Sequence, residues 1–245
     1  MRVVSYNIRH GVGADGRLDL ERTADTIAAE GADLVGLQEV DRHFSARSGF
    51  VDQAGWLGER LGMHVAFGAN LDLEPPEAGR PRRQYGNAVL ALPEVLGWRN
   101  VPLPGPAGTE PRGLLETLVV VDGGPLRFLV THLQNRSQPA RLAQVDVVRA
   151  VVTGRPSPAV LAGDLNARPG SAELRRLTAV AEDAWAAAGR GRGHTYPAAA
   201  PASRIDYVLA TPDLVATAAV VIDSRASDHR PVRADLESAG RVAAG

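Results

Sequence analysis

Apolar residues come along this chain in short runs, and most runs close on a polar residue or a turn. Val3–Ile8, Leu34–Val40, His64–Phe67, Asn87–Leu92, Val95–Arg99, Leu114–Val121, Leu126–Leu133, Ile205–Ala210, Val220–Ile222 and Pro231–Leu236 read as strands, as does the run through Val160-Leu161-Ala162. Helical spacing is confined to four places. Leu20, Ala24, Ile27 and Ala28 share a face behind an Asp19 cap, with Gly31 as the stop; Asp52 to Leu61 is closed by Gly62. Pro139 to Thr153 turns Leu142, Val145 and Val148 inward and stops at Gly154, and Ser171 caps a helix through Leu177. Asp122-Gly123-Gly124-Pro125 reads as a hairpin between two of the strands.

Residues 70 to 86, Pro102 to Pro111 and 186 to 204 read as loops. Hairpins and helical crossovers occur together, so the sheet is expected to be mixed. Roughly ten strands in one chain predict two sheets packed face to face, because a twisted open sheet rarely stays single beyond about that number. Residues 1–237 are expected to form one domain, with a frayed tail over 238–245.

The chain has 245 residues, 44% of them hydrophobic, enough for a substantial core. Its net charge of −1 advertises no global basic field for nucleic acid. With no cysteine there is neither a disulfide framework nor a thiolate metal site. Met1 to Ile8 already reads as a strand with no leader before it, and no apolar run reaches the roughly 18 residues of a membrane span. The expectation is a cytoplasmic protein without a transmembrane segment or an evident obligate protein partner.

Polar residues at the strand ends carry the chemistry. Asn7 follows Val3-Val4-Ser5-Tyr6, and Glu39 follows Leu37-Gln38. His132 follows Val130-Thr131, while Asp164 and Asn166 follow Val160-Leu161-Ala162-Gly163. Asp206 interrupts a strand that should be buried, and Asp228-His229 precede Pro231-Val232. Each alone is explained by a cap, a turn or a solvated loop end. If they converge, four carboxylates repel one another in a partly desolvated site, and a divalent cation relieves that repulsion. Oxygen ligands with few histidines favour Mg²⁺ or Mn²⁺ over zinc.

Seven pieces in this order resemble the endonuclease/exonuclease/phosphatase superfamily: Ser5-Tyr6-Asn7-Ile8, Leu37-Gln38-Glu39-Val40, Gly86-Asn87-Ala88-Val89-Leu90, Thr131-His132-Leu133, Gly163-Asp164-Leu165-Asn166, Ile205-Asp206-Tyr207 and Ser227-Asp228-His229. The resemblance implies an α/β four-layer sandwich, two mixed β-sheets face to face with helices outside. It also implies metal-dependent hydrolysis of a phosphoester. By position, Glu39 is implied as the principal metal ligand with Asn7 and Asp228, and Asp164 as the group that orients or deprotonates the attacking water. Asn166 and His132 are implied to contact the phosphate, and His229, oriented by Asp206, to contact it and assist proton transfer. Asn87, Arg112 and Arg204 are candidates for substrate binding, with structural pairing the default for Arg204. Arg47 is a further candidate phosphate clamp.

The substrate is left open between DNA and a small or lipid-headgroup phosphodiester. Two other readings compete. One is a non-catalytic binding protein on the same scaffold. The other is a dinucleotide binder through Gly11-x-Gly13-x-x-Gly16, which requires a helix to open within the glycines, whereas Asp19 marks a later start.

Overall fold

A computed structural model describes residues 1–242. The elements run β1 (Arg2–Asn7), α1 (Leu20–Ala28), β2 (Leu34–Arg42), α2 (Gln53–Leu61), β3 (His64–Leu73), β4 (Arg83–Ala91), β5 (Val95–Leu103), β6 (Arg112–Val121), β7 (Gly124–His132) and α3 (Gln138–Thr153). They continue with β8 (Ala159–Asp164), α4 (Ala172–Thr178), β9 (Glu182–Asp183), α5 (Ala184–Ala188), β10 (Asp206–Ala210), β11 (Leu214–Val221), β12 (Val232–Ser238) and α6 (Ala239–Val242). The strands form two six-stranded sheets, ordered β11-β12-β1-β2-β4-β3 and β5-β6-β7-β8-β10-β9. β1 pairs with β2 and β7 with β8 in parallel across helical crossovers, while the other pairings are antiparallel.

Three apolar layers hold four layers of structure together. Between the sheets lie Val3, Leu34, Val89, Phe128, Val130, Val160, Ala162, Val208 and Val232. Outside one sheet, Val4, Tyr6, Val35 and Leu37 pack on Ala24 and Ile27 of α1 and Ala54 and Leu57 of α2. Outside the other, Leu129, Leu161 and Leu209 pack on Val145 and Val148 of α3 and Leu174 and Leu177 of α4. The expected helix starts hold: Asp19, Asp52 and Ser171 each accept a hydrogen bond from a backbone N–H of the first turn. Gly11 ends a single 3₁₀ turn over Arg9–Gly11, and Gly13 and Gly16 lie in a loop closed by a Val12–Leu18 bridge, all ahead of a helix whose first turn Asp19 already caps. They cradle no helix N-terminus, so the dinucleotide reading loses its structural basis.

The loop expected over 70 to 86 shrinks, because β3 runs on to Leu73 and β4 starts at Arg83. β11 starts at Leu214, ahead of the expected Val220, its alanine-rich alternation blurred by a bulge between Ala216 and Ala218. α5 was not anticipated: Asp183 caps a run of alanines that reads as loop in sequence. Where a tail is expected from Ser238 onward, Ser238 ends β12 and α6 follows over Ala239–Val242. The expectation for 243–245 lies outside the described residues.

Strand alternation positions the site. Val3 and Asn7, Phe128 and His132, Val160 and Asp164, and Asp206 and Val208 each stand an even number of positions apart on their strands. The residues facing the other sheet at one end of the sandwich are therefore polar. Close sheet approach is required there, and Gly36 allows it: a Cβ at that position would stand 2.7 Å from Val130 Cγ2 and 3.1 Å from Ala162 Cβ. Gly36→Val is expected to lower unfolding stability by about 1–3 kcal/mol, as overpacking does. Urea denaturation checks it, and an unchanged midpoint would mean that the sheets have room to spare.

Candidate active site

Register brings the first three groups together. Asp164 ends β8 beside His132 of parallel β7 and opposite Asp206 of antiparallel β10. Gly163 makes that row tight, since a Cβ there would lie 2.2 Å from the Thr131 carbonyl oxygen. Across the gap between the sheets, Asn7 donates from its amide nitrogen to Asp164 Oδ2 at 3.1 Å and to Glu39 Oε1 at 3.1 Å.

Glu39 reaches this point through a bulge. Leu37 pairs with Ala88 and Val40 with Gly86, so two residues of β2 oppose one of β4, and Glu39 takes the left-handed φ of 58°. Strict alternation would have sent its side chain out toward the helices. Asn166 is also left-handed, with φ of 47°. Its backbone N–H donates to Asp164 Oδ1 at 2.9 Å, and its amide nitrogen swings back to donate to the Leu133 carbonyl at 3.0 Å. Asp164 and Asn166 thus meet through a tight turn and not through the strand alternation their i, i+2 spacing suggests.

His229 arrives from the loop before β12. Its Nδ1 lies 3.1 and 3.0 Å from the two oxygens of Asp206, and its Nε2 lies 3.7 Å from Asp164 Oδ2. Tyr196 covers the ring with a centroid separation of 4.7 Å. The loop bearing Tyr196 is clasped to this segment, with Ala198 N donating to the Asp228 carbonyl and Arg230 N to that of Thr195. Asp228 faces Arg9 at 3.7 Å.

These groups open on a cleft of about 410 Å³, lined by Glu39, His132, Asp164, Asn166, Asp228 and His229 together with His10, Arg47, Tyr85, Glu110, Arg112 and Tyr196. Two sequence candidates, Asn87 and Arg204, lie outside the lining of this cleft. Asn87 lies buried between the sheets and donates to the Gly113 carbonyl at 3.0 Å. Its strand position faces the opposite sheet below the cleft. Arg204 is buried against Asp183 at 2.7 Å and over the Tyr207 ring at 4.7 Å, which satisfies its charge structurally. Arg112 does reach the cleft. Tyr196, within the stretch 186 to 204 that reads as loop, is a wall of the cleft that the sequence did not announce; Glu110 and Tyr85 carried no signal of their own.

Burial dominates the electrostatics. It pushes the Glu39 carboxyl above its usual range, against the Asn7 hydrogen bond and with help from Asp228. Burial, then the Asp206 charge, pushes Asp164 up to about 7. Burial opposes charge on His229, but Asp206 and Asp164 together outweigh it and raise the ring to about 10. His132 goes the other way, well below its usual value, through burial and then the charges of Arg112 and His229.

The extra protons offset desolvated negative charge, as a dication also would. A divalent ion fits this donor set. Asp164, Asp206 and His229 offer ligand atoms all within 4.8 Å of one another. Asp206, however, already faces His229 Nδ1 with both oxygens. Glu39 is a half-buried carboxylate with acceptor capacity to spare, its one side-chain partner among the described residues being the Asn7 amide. Asn7 itself presents N–H here, its Oδ1 accepting from Arg9 N at 3.1 Å, so ligation by that oxygen requires the amide to turn over.

The sequence model of the Endonuclease/Exonuclease/phosphatase family matches residues 4–229. The chain belongs to this family. Among solved structures, an endonuclease/exonuclease/phosphatase from Beutenbergia cavernae is 31% identical with a TM-score of 0.80, covering 97% of this chain and 71% of that one. A mannosyl-6-phosphatase from Bacteroides thetaiotaomicron shares the fold at 18% identity and TM-score 0.77, covering 97% and 99% of the two chains. The human Nocturnin catalytic domain with bound sulfate does so at 20% identity and TM-score 0.70, covering 97% and 93%. The endonuclease/exonuclease/phosphatase scaffold is a hydrolase fold, and its polar strand ends here form one acidic, histidine-containing cluster. No helix of the described residues is long and apolar enough to cross a membrane.

The raised His229 value has a thermodynamic consequence. A ring whose folded pKa lies above its unfolded value adds stability that is full below 6.5 and lost as pH rises through about 10. In metal-free protein, Asp206→Asn removes the largest raising influence. The stability loss between pH 6.5 and 10 is expected to shrink in this variant, as read by urea denaturation across that range. An identical slope in wild type and variant would show that Asp206 does not hold the proton on His229.

Proposed function

We propose that this protein is a divalent-metal-dependent phosphoester hydrolase of phosphodiesterase type, with Asp164 as the water-orienting base. The observation that carries the reading is the convergence on Asp164 Oδ2 of Asn7, His132 and His229 from three segments, the last backed by Asp206. A phosphoester resists attack because its oxygens are anionic, so a site for its hydrolysis needs a placed base and donors aimed at the phosphoryl oxygens.

In this reading Asp164, fixed by Asn166 N–H and the Asn7 amide, accepts the proton of a water whose oxygen bonds to phosphorus as the ester P–O bond breaks. A carboxyl lifted toward neutral pH suits that exchange better than an ordinary aspartate. His229 carries its proton on Nε2 because Asp206 holds Nδ1–H, and it can donate to a phosphoryl oxygen or to the departing alkoxide. Asn166 and His132 contact the phosphoryl group from the opposite side. Mg²⁺ or Mn²⁺, held by Glu39 with Asp228 and a reoriented Asn7, supplies Lewis-acid stabilisation of phosphoryl charge. The cytoplasm is the proposed location, and the substrate is the only partner proposed.

For substrate, the geometry favours a small phosphoester over duplex DNA. The acids Glu39, Glu110, Asp164 and Asp228 outnumber the arginines Arg47 and Arg112 along the cleft lining, so the lining offers no basic track for a polyanion. Sugar-phosphate monoesters enter the comparison because one structure of the same fold is a mannosyl-6-phosphatase.

Hydrolysis of bis-p-nitrophenyl phosphate and p-nitrophenyl phosphate is expected to vanish in chelator and return with Mg²⁺ or Mn²⁺; turnover that persists in chelator removes the metal role. Asp164→Asn and His229→Ala are each expected to lose about a hundredfold or more in kcat. Near-wild-type turnover in either variant would overturn that residue's role.

A further inference from the structure

His132 stands in an unusual hydrogen-bonding position. Arg112 Nη1 lies 3.1 Å from its Nδ1, and Asn166 Nδ2 lies 3.1 Å from its Nε2. Both neighbours are N–H groups. A neutral imidazole has one lone pair and one N–H, so it cannot accept from both. Two neighbours fix which donor prevails. Arginine does not give up its proton, and the Arg112 side chain is only 5% exposed. The Asn166 amide already spends an N–H on the Leu133 carbonyl at 3.0 Å, which also fixes which end of that amide is nitrogen.

A proton on Nδ1 would therefore point at a buried cation. A proton on Nε2 meets an amide that has another acceptor, and has Asp164 Oδ2 at 3.4 Å as its own. That contact is long for a hydrogen bond and leaves the proton free for a closer oxygen.

We infer that Arg112 is a positioning residue that fixes His132 as the Nε2–H tautomer, a neutral donor aimed into the cleft. The inference deepens the hydrolase reading and rests on it for the meaning of that donor, namely a hydrogen bond to a phosphoryl oxygen. It divides labour between the two histidines. His229 handles the proton, while His132 only donates a hydrogen bond and stays unchanged through the cycle. Arg112 acts through the ring and is itself held by its ion pair with Glu110. Its Nε is buried without a partner among the described residues, a further donor at a place short of acceptors. Such a surplus of donors is what an oxyanion site requires.

The test reads the tautomer directly. Uniformly ¹⁵N-labelled protein has only six histidines. Long-range ¹H–¹⁵N correlation identifies the protonated nitrogen of each ring, and a His132→Gln spectrum assigns the ring in question. The wild type is expected to show His132 with Nε2 protonated and Nδ1 bare. Arg112→Met should release the ring to populate the Nδ1–H form, and Arg112→Lys, which retains a cationic donor, should hold the wild-type tautomer.

On bis-p-nitrophenyl phosphate, Arg112→Met is expected to lose about tenfold or more in kcat, with Arg112→Lys recovering most of it. An Nδ1–H tautomer in the wild type overturns the inference even if Arg112→Met fails to fold. An unchanged tautomer in a folded Arg112→Met does so as well. A protein with the expected tautomer that hydrolyses nothing would instead overturn the hydrolase reading and leave the role of Arg112 standing.

Discussion

The arrangement depends on negative charge held where two sheets meet and water is excluded. Asp164 and Asp206 are buried side by side on adjacent strands, and Glu39 lies just across the gap. Unscreened, such groups repel by several kcal/mol. The fold tolerates them because each is answered locally: Asp206 by the His229 ring, Asp164 by Asn7 and the Asn166 backbone, and Glu39 in part by the same Asn7 amide. Asn7 is the hinge of this balance, since one neutral amide tempers two carboxylates from opposite sheets. What repulsion remains appears as raised proton affinity, the property a dication would draw on.

The two histidines show how surroundings, and not residue type, set protonation. His229 sits among Asp206, Asp164 and Asp228 and keeps its proton. His132 sits beside Arg112 and loses any second one. Both rings are nearly buried and both face Asp164. Opposite environments a few ångströms apart allow one site to hold a charged donor and a neutral one at the same pH.

The scaffold does not settle the substrate, because fold and specificity are separable. Two residues that line the cleft are held in place by their neighbours. Arg47 is held by buried Asp41 through two bonds, at 2.9 and 2.7 Å, and lies 4.4 Å over the Phe44 ring. Tyr196 stands over His229 on a loop hydrogen-bonded to the segment that carries Asp228 and Arg230.

Much of this was legible in the amino-acid sequence. The apolar runs located most strands, Asp19, Asp52 and Ser171 marked helix starts, and the polar strand ends named the residues that meet at the cleft. Alternation alone places Asn7, His132, Asp164 and Asp206 on the faces between the sheets, because a period of two is a property of the extended chain. The bulge that turns Glu39 inward was not legible: no glycine announces it, and it exists only through pairing with β4. The left-handed turn at Asn166, the burial of Asn87 and the capture of Arg204 by Asp183 likewise depend on neighbours distant in sequence. The local chain dictated which groups are available and which face of a strand they occupy. Only the packed structure decided which of them lose water and find one another, and with that which carry charge, because desolvation and partner distance are properties of the assembled fold.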